Sequence, residues 1–304
     1  MYTARAMSIR FSFPCILADK RRKMKSDAKE PPLWQAFVTK EDLMETERQI
    51  SQIQKELEKF LAKWEPKQIV GKTQEELEGI FAKWRSEQVA EIRSKVFRYN
   101  QVAVLIKILF VNREFLTGII DHYDSGEPVI LATLARCTFE LFLATRDAFS
   151  SPEKFREFVG RSEASVIRFN EKVLDEVTIQ GNSNLVKFMQ SELVRLEHRK
   201  TIWATMFGPT PTITRPDLNF RDLATQFGMG EYYDFDYGIL SLFVHPSLFY
   251  VAVAPRMSSL LSGEERPSTF QRDAVKAWSL SIALDFSRKL LKFTESIRST
   301  FESL

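Results

Sequence analysis

"LMETERQISQIQKELEKFLAKW", residues 43–64, puts Leu43, Ile50, Leu57 and Trp64 at one heptad position and Thr46, Ile53 and Phe60 at the other. The residues between them are mostly Glu, Gln, Lys and Arg. Such a narrow apolar seam describes a helix that needs another helix to cover it. "EPKQIVGKTQEE" interrupts the pattern through Pro66 and Gly71, and Thr73 with Glu76 has the spacing of a capping box for the next helix. The motif "LEKFLAKWEPKQI" then recurs twenty residues on as "LEGIFAKWRSEQV". The spacing predicts an antiparallel coiled-coil hairpin over residues 34–94, folding back within one chain, with its tryptophans sealing related positions.

The second helix of that hairpin is expected to run from Thr73 to about Tyr123. Its first half is amphipathic through Leu77, Ile80, Phe81, Trp84 and Ile92, whereas "VAVLIKILFV" is apolar nearly all round and belongs in a larger core. The junction between arm and body therefore falls near residue 95. Further helices are predicted over 128–148, 152–177, a segment ending near Phe207, 219–227, and from Ser268 onward. "TIQGNSN", "GPTPTITRP" and "SSLLSGEERP" are loops. No strand-like alternation stands out, and the expected fold class is all-α, a helical bundle of residues 95–304 carrying an N-terminal hairpin arm.

The composition narrows the chemistry. The 304 residues are 44% apolar and 27% charged, with 25 phenylalanines against 11 glycines, which suits packed helices. A net charge of +3 is too small to imply nucleic acid by itself. Two cysteines, Cys15 and Cys137, form no metal or redox motif, and only three histidines are present. No cofactor or metal is expected, and the expected location is the cytoplasm. Residues 1–33 read as a disordered or targeting-like start, with Met24 as an alternative first residue. "FSFPCILA" is too short to span a bilayer, so no membrane partner is expected.

Two apolar helices carry polar stripes. In "LATLARCTFELFLA", Arg136 and Glu140 stand four apart and share one face. In "YGILSLFVHPS", Tyr237, Ser241 and His245 form a stripe at the same spacing, with Asp234 one turn earlier and Pro246 ending the helix. Buried polar groups need partners, so the two stripes are expected to face each other as one pocket.

"LATLARCTFELFLATRDAF", followed about a hundred residues later by "YYDFDYGILSLFVHPS", resembles a bacterial family of helical domains of unknown function. That family pairs an Arg-x-x-x-Glu helix with a Tyr…Ser-x-x-x-His helix, and the likeness covers roughly residues 95–255. It implies an all-α bundle and brings no activity with it. More distantly the chain is similar to HEPN-type helical proteins, many of which are ribonucleases. HEPN nucleases place an arginine and a histidine four to six residues apart on one helix. Here Arg195 and His198 are closer than that, and no arginine closely precedes His245.

Two functions follow as expectations. One is a helical interaction or scaffold protein, with a protein partner or a homo-oligomer, whose Arg136, Glu140, Tyr237, Ser241 and His245 form a structural polar pocket. The other is a metal-independent HEPN-like ribonuclease or phage-defence effector acting on RNA. There His245 would be the general acid/base, Arg136 would stabilise the developing charge, and Glu140, Ser241 and Tyr237 would orient them.

Overall fold

The computed structural model describes residues 38–64, 69, 71–124, 127–208, 218–244 and 269–302. These form nine α-helices and one π-helical segment, and the described residues contain no strand. The helices are α1 (Lys40–Trp64), α2 (Gln74–Lys83), α3 (Ser86–Asp121), α4 (Pro128–Ala148), α5 (Pro152–Ile179), α6 (Ser183–Phe207) and α7 (Phe220–Gln226). The π-helical segment Tyr232–Tyr237 runs directly into α8 (Gly238–Val244), and α9 (Thr269–Glu302) follows. The expected disordered start, residues 1–33, lies outside the described residues.

The heptad seam is buried as its spacing predicts: Leu43, Thr46, Ile50, Ile53 and Leu57 are all inaccessible to solvent or nearly so. Its partner is not the one expected. α1 lies antiparallel to the second half of α3, where the Tyr123 hydroxyl donates to the Val38 carbonyl at 2.8 Å and Lys40 pairs with Asp124 at 2.7 Å. α9 covers the same seam, and Arg288 and Arg298 reach Asp42 and Glu56 on α1. The seam thus belongs to the main core shared with α3, α4 and α9, and not to a hairpin of residues 34–94 standing off a body that begins at 95. The reason is apolar supply. The second half of α3 buries Val102, Leu105, Ile108, Leu109, Leu116 and Ile119, whereas α2 buries only Leu77. Each fully buried side chain of this size contributes about 1.5–3 kcal/mol, so the seam joins the richer surface.

The helix expected from Thr73 to Tyr123 is broken. The capping box is present, with the Glu76 N–H donating to Thr73 Oγ1 and the Thr73 N–H donating to the Glu76 carboxylate. α2 nevertheless ends at Lys83, and Trp84 and Arg85 are extended. α1 ends at Trp64 and α2 just before Trp84, so each copy of the repeated motif closes a helix at its tryptophan. The break lets α2 turn onto α6 and build a second small core from Ile69, Leu77, Val96 and Met206.

α4 is the hub. It packs against α3, α5, α7, α8 and α9, with Ala132 and Ala135 fully buried among Leu131, Phe139, Phe142 and Leu143. Among the described helices it alone is long and apolar enough to cross a membrane, at a mean hydropathy of 1.4, and half of that stretch is buried inside the bundle. Ser151 caps α5 by accepting from the Lys154 N–H, with Pro152 in the first turn as its sequence suggests. α5 and α6 form an antiparallel hairpin. Its turn uses Gly181 at φ 72°, a left-handed conformation that a side chain would strain.

Candidate functional site

α4 presents Arg136 and Glu140 toward the π-helical segment because they sit four apart on the flank that α8 covers. The Arg136 Nε–H donates to Glu140 Oε1 at 2.9 Å. The Tyr237 hydroxyl donates to the same oxygen at 2.8 Å, across a sequence separation of 97 residues. The guanidinium carbon of Arg136 lies 4.5 Å from the centre of the Tyr237 ring, within cation–π range. One carboxylate oxygen, one cation and one phenol therefore close a three-way clasp. The Arg136 and Glu140 side chains remain about one-fifth exposed.

Local backbone geometry makes the clasp. In the π-helical turn the wider spiral places residues four apart almost above one another. Tyr233 and Tyr237 accordingly stack with ring centres 4.5 Å apart and planes only 16° from parallel. Phe139 on α4 touches the far side of Tyr237 at 6.0 Å. The segment is also pinned to α9, where the Trp278 indole N–H donates to Asp236 at 2.5 Å and Phe235 packs on Trp278. π-helical turns inside helices are rare and frequently fall at functional sites.

Burial and the Glu140 hydrogen bond both push the Tyr237 phenol far above the usual tyrosine range. Burial works against the Arg136 charge, but its hydrogen bond and attraction to Glu140 outweigh that and hold the guanidinium more firmly charged. Burial raises the neighbouring Cys137 thiol, which keeps it a thiol at neutral pH. The cluster is thus one fixed cation, one carboxylate and one firmly protonated phenol. Its charges are balanced within the cluster.

Of the five residues expected to share a pocket, Arg136, Glu140 and Tyr237 meet directly. Ser241 stands one turn on, along α8, with its hydroxyl buried and no hydrogen-bond partner among the described residues. His245 lies outside the described residues. Asp234, expected on the same stripe, is instead exposed and faces Arg221 of α7 at 3.5 Å. In the wider π turn, a residue three positions earlier no longer falls beneath Tyr237. Among the described residues no group of three or more His, Cys, Asp or Glu side chains could hold a metal ion.

No family model, curated protein or solved structure matches this chain.

Sequence reasoning missed two features. The π-helical turn carries no punctuation in "YYDFDYG", and the one available signal is its run of four aromatics. The second is a buried carboxylate, Glu163 on α5, held by Arg199 of α6 at 3.2 Å. In the sequence it is an ordinary acid on an amphipathic helix.

Proposed function

We propose that the protein is a non-catalytic helical interaction module that self-associates through the α5–α6 hairpin, and that Arg136, Glu140 and Tyr237 are the structural clasp that seats the π-helical segment on the bundle. The observation that carries this reading is where apolar surface is left uncovered. Val166, Phe169, Ile179, Leu185, Phe188 and Val194 are all exposed and belong to this one hairpin, whereas the other five exposed large apolar side chains among the described residues, Met44, Phe110, Val111, Ile130 and Tyr232, are spread over four other elements.

Four of them share a side. On α6, Phe188 and Leu185 come one and four residues before the buried Met189. On α5, Val166 and Phe169 follow the buried Glu163 by three and six residues. At 3.6 residues per turn these offsets rotate both pairs to the same flank of an antiparallel hairpin. A stripe of exposed Val, Phe and Leu seeks a matching apolar face.

The charge balance favours a second copy over RNA. Residues 152–207 carry nine basic and eight acidic side chains, interspersed on both helices. A nucleic-acid site needs a one-signed basic surface. A nearly neutral, mixed surface is self-complementary, and two such hairpins pack flank to flank as a four-helix bundle related by a two-fold axis. The clasp points the same way. A ribonuclease needs an arginine aimed at substrate, whereas Arg136 is engaged by Glu140 and by the Tyr237 ring.

Light scattering on the full chain tests this. The native chain should be dimeric at micromolar concentration, and Phe169→Asp with Phe188→Asp should yield a folded monomer. A monomeric native chain, or a dimer unaffected by both charges, overturns the reading. RNA degradation abolished by Arg136→Ala would establish the nuclease instead.

A further inference from the structure

The exposed stripe of the α5–α6 hairpin continues toward the body of the bundle. On α5, Val166 and Phe169 extend the row begun by Phe158 and Ser162, and Glu176 and Gln180 prolong it toward the turn. On α6, Leu185 and Phe188 stand on the row that leads through Arg195 and Arg199 to Ile202 and Met206. Steps of three and four residues keep each row on one face of its helix. Phe158, Ser162, Ile202 and Met206 line a cleft of about 870 Å³ beside Trp203, with Leu77 of α2 and Val104 of α3 on its other wall. Stripe and cleft are therefore one flank, open at its far half and walled by α2 and α3 at its near half.

The open half is too small to hold a dimer alone. Glu163 faces Arg199, so Leu185 stands level with residue 177, and the stripe runs from there to Val166, about 17 Å of helix. Two helices side by side are about 20 Å wide, which gives roughly 350 Å² against about 800 Å² per partner in a stable interface. Contact must extend along the flank into the cleft. Charge gives the direction. The near half of the hairpin, residues 152–169 and 193–207, carries seven basic and four acidic side chains, whereas the far half, 170–192, carries two basic and four acidic. Two-fold packing of flank on flank runs either base to base or tip to base. The first lays like charge on like, and the second sets each acidic tip on a basic base. In the cleft lining Lys72 and Arg199 already pair with Glu76 and Glu163, while Lys107 is exposed and has no ion pair among the described residues.

We infer that two copies dock antiparallel, so that the hairpin tip of each, residues 180–185, closes the cleft of the other and turns Glu176 toward its Lys107. This rests on the self-association proposed above and adds its direction and its second surface. The levels agree. The midpoint of the stripe lies at about residue 171 on α5; the turn at Gly181 is about 15 Å beyond it, and Ser162 is about as far on the other side. A two-fold axis at that midpoint brings the turn of one copy to Ser162 of the other, beside the cleft.

Oxidative cross-linking of the full chain reads the direction. A chain with Ser162→Cys, mixed with one carrying Gln180→Cys and left to exchange subunits, should give disulfide-linked dimers. Either variant alone should link no more than the native chain, whose Cys15 and Cys137 set the background. Ser162 and Gln180 are exposed, so the helices should persist, as circular dichroism will check. Gln180→Cys linking to itself would place tip on tip and overturn the inference. So would absence of the mixed link in a chain that light scattering shows to be dimeric; self-association would then stand and its direction fall. A monomeric native chain removes both. In sedimentation equilibrium, Lys107→Glu and Glu176→Lys should each weaken the dimer roughly tenfold, and the double variant should recover most of the loss. Failure of that recovery overturns the contact between tip and cleft.

Discussion

Tyr237→Phe isolates one bond of the clasp. The substitution removes the hydroxyl that donates to Glu140 Oε1 at 2.8 Å and keeps the ring that stacks on Tyr233 and faces Arg136. No cavity forms, so the cost is that of one hydrogen bond to a charged acceptor, about 1.5–3 kcal/mol when fully buried. Glu140 is about one-fifth exposed and keeps its bond from Arg136, so water can replace part of the loss. The expected destabilisation is therefore near the low end, about 1–1.5 kcal/mol. Glu140→Ala should cost more, about 3 kcal/mol, because it strands a half-buried guanidinium and the phenol together. In a double-mutant cycle by urea denaturation, the Tyr237–Glu140 coupling should recover about 1 kcal/mol. The pH dependence carries an independent sign. The folded state holds the Tyr237 proton above the usual tyrosine value of about 10, so its contribution is whole below that pH and drains away as pH rises above it. Native stability should fall more steeply above pH 10 than that of Tyr237→Phe. A neutral Tyr237→Phe, or identical alkaline profiles for the two proteins, would refute the clasp as a stabilising element.

Three further outcomes are expected. Asp147→Asn should stabilise the protein at neutral pH by about 1 kcal/mol, because this carboxylate is buried in the last turn of α4, with one oxygen unpartnered. Burial raises its pKa, so the native penalty is absent below the ordinary value near 4 and grows as pH rises through the folded value; thermal melts of variant and native chain should converge in acid. Leu57→Ala should cost about 2–5 kcal/mol, since Leu57 is 1% exposed in the shared core; a loss below 1 kcal/mol by chemical denaturation would return α1 to a detachable arm. A chain truncated to begin at Lys95 should lose the cover over Leu105, Leu109 and Leu116 and aggregate on expression, where an independent body would remain soluble and monomeric.

Helix bounds were legible wherever local chemistry sets them. Pro128, the Ser151–Pro152 cap, Gly181 and Asn219 each act within one turn, and the structure begins or ends helices beside them. The heptad seam was legible as buried, because its spacing depends only on α1. Its partner was not, because that choice compares two distant surfaces: the α2 face and the second half of α3. The break at Trp84 also escaped, since nothing in "FAKWRSE" forbids a continuous helix; packing of α2 on α6 decides it. The Arg136–Glu140–Tyr237 contact could be anticipated from polar groups on otherwise apolar faces. The displacement of Asp234 followed from a π-helical turn that residue spacing at 3.6 per turn cannot reveal. The cleft beside Trp203 depends on what four helices leave unfilled, and no single helix records it.

The order in which the bundle is closed has a consequence for synthesis. α9 is the principal cover of α4, yet roughly 120 residues lie between the end of one and the start of the other, about ten seconds of translation at typical rates. During that interval the most apolar of the described long helices has left the ribosome and lacks its lid. A helix long and apolar enough to enter a bilayer is then available to chaperones, to targeting factors and to other nascent copies. Stalling the ribosome before Thr269 should therefore yield a chain held by chaperones, and release should coincide with emergence of α9.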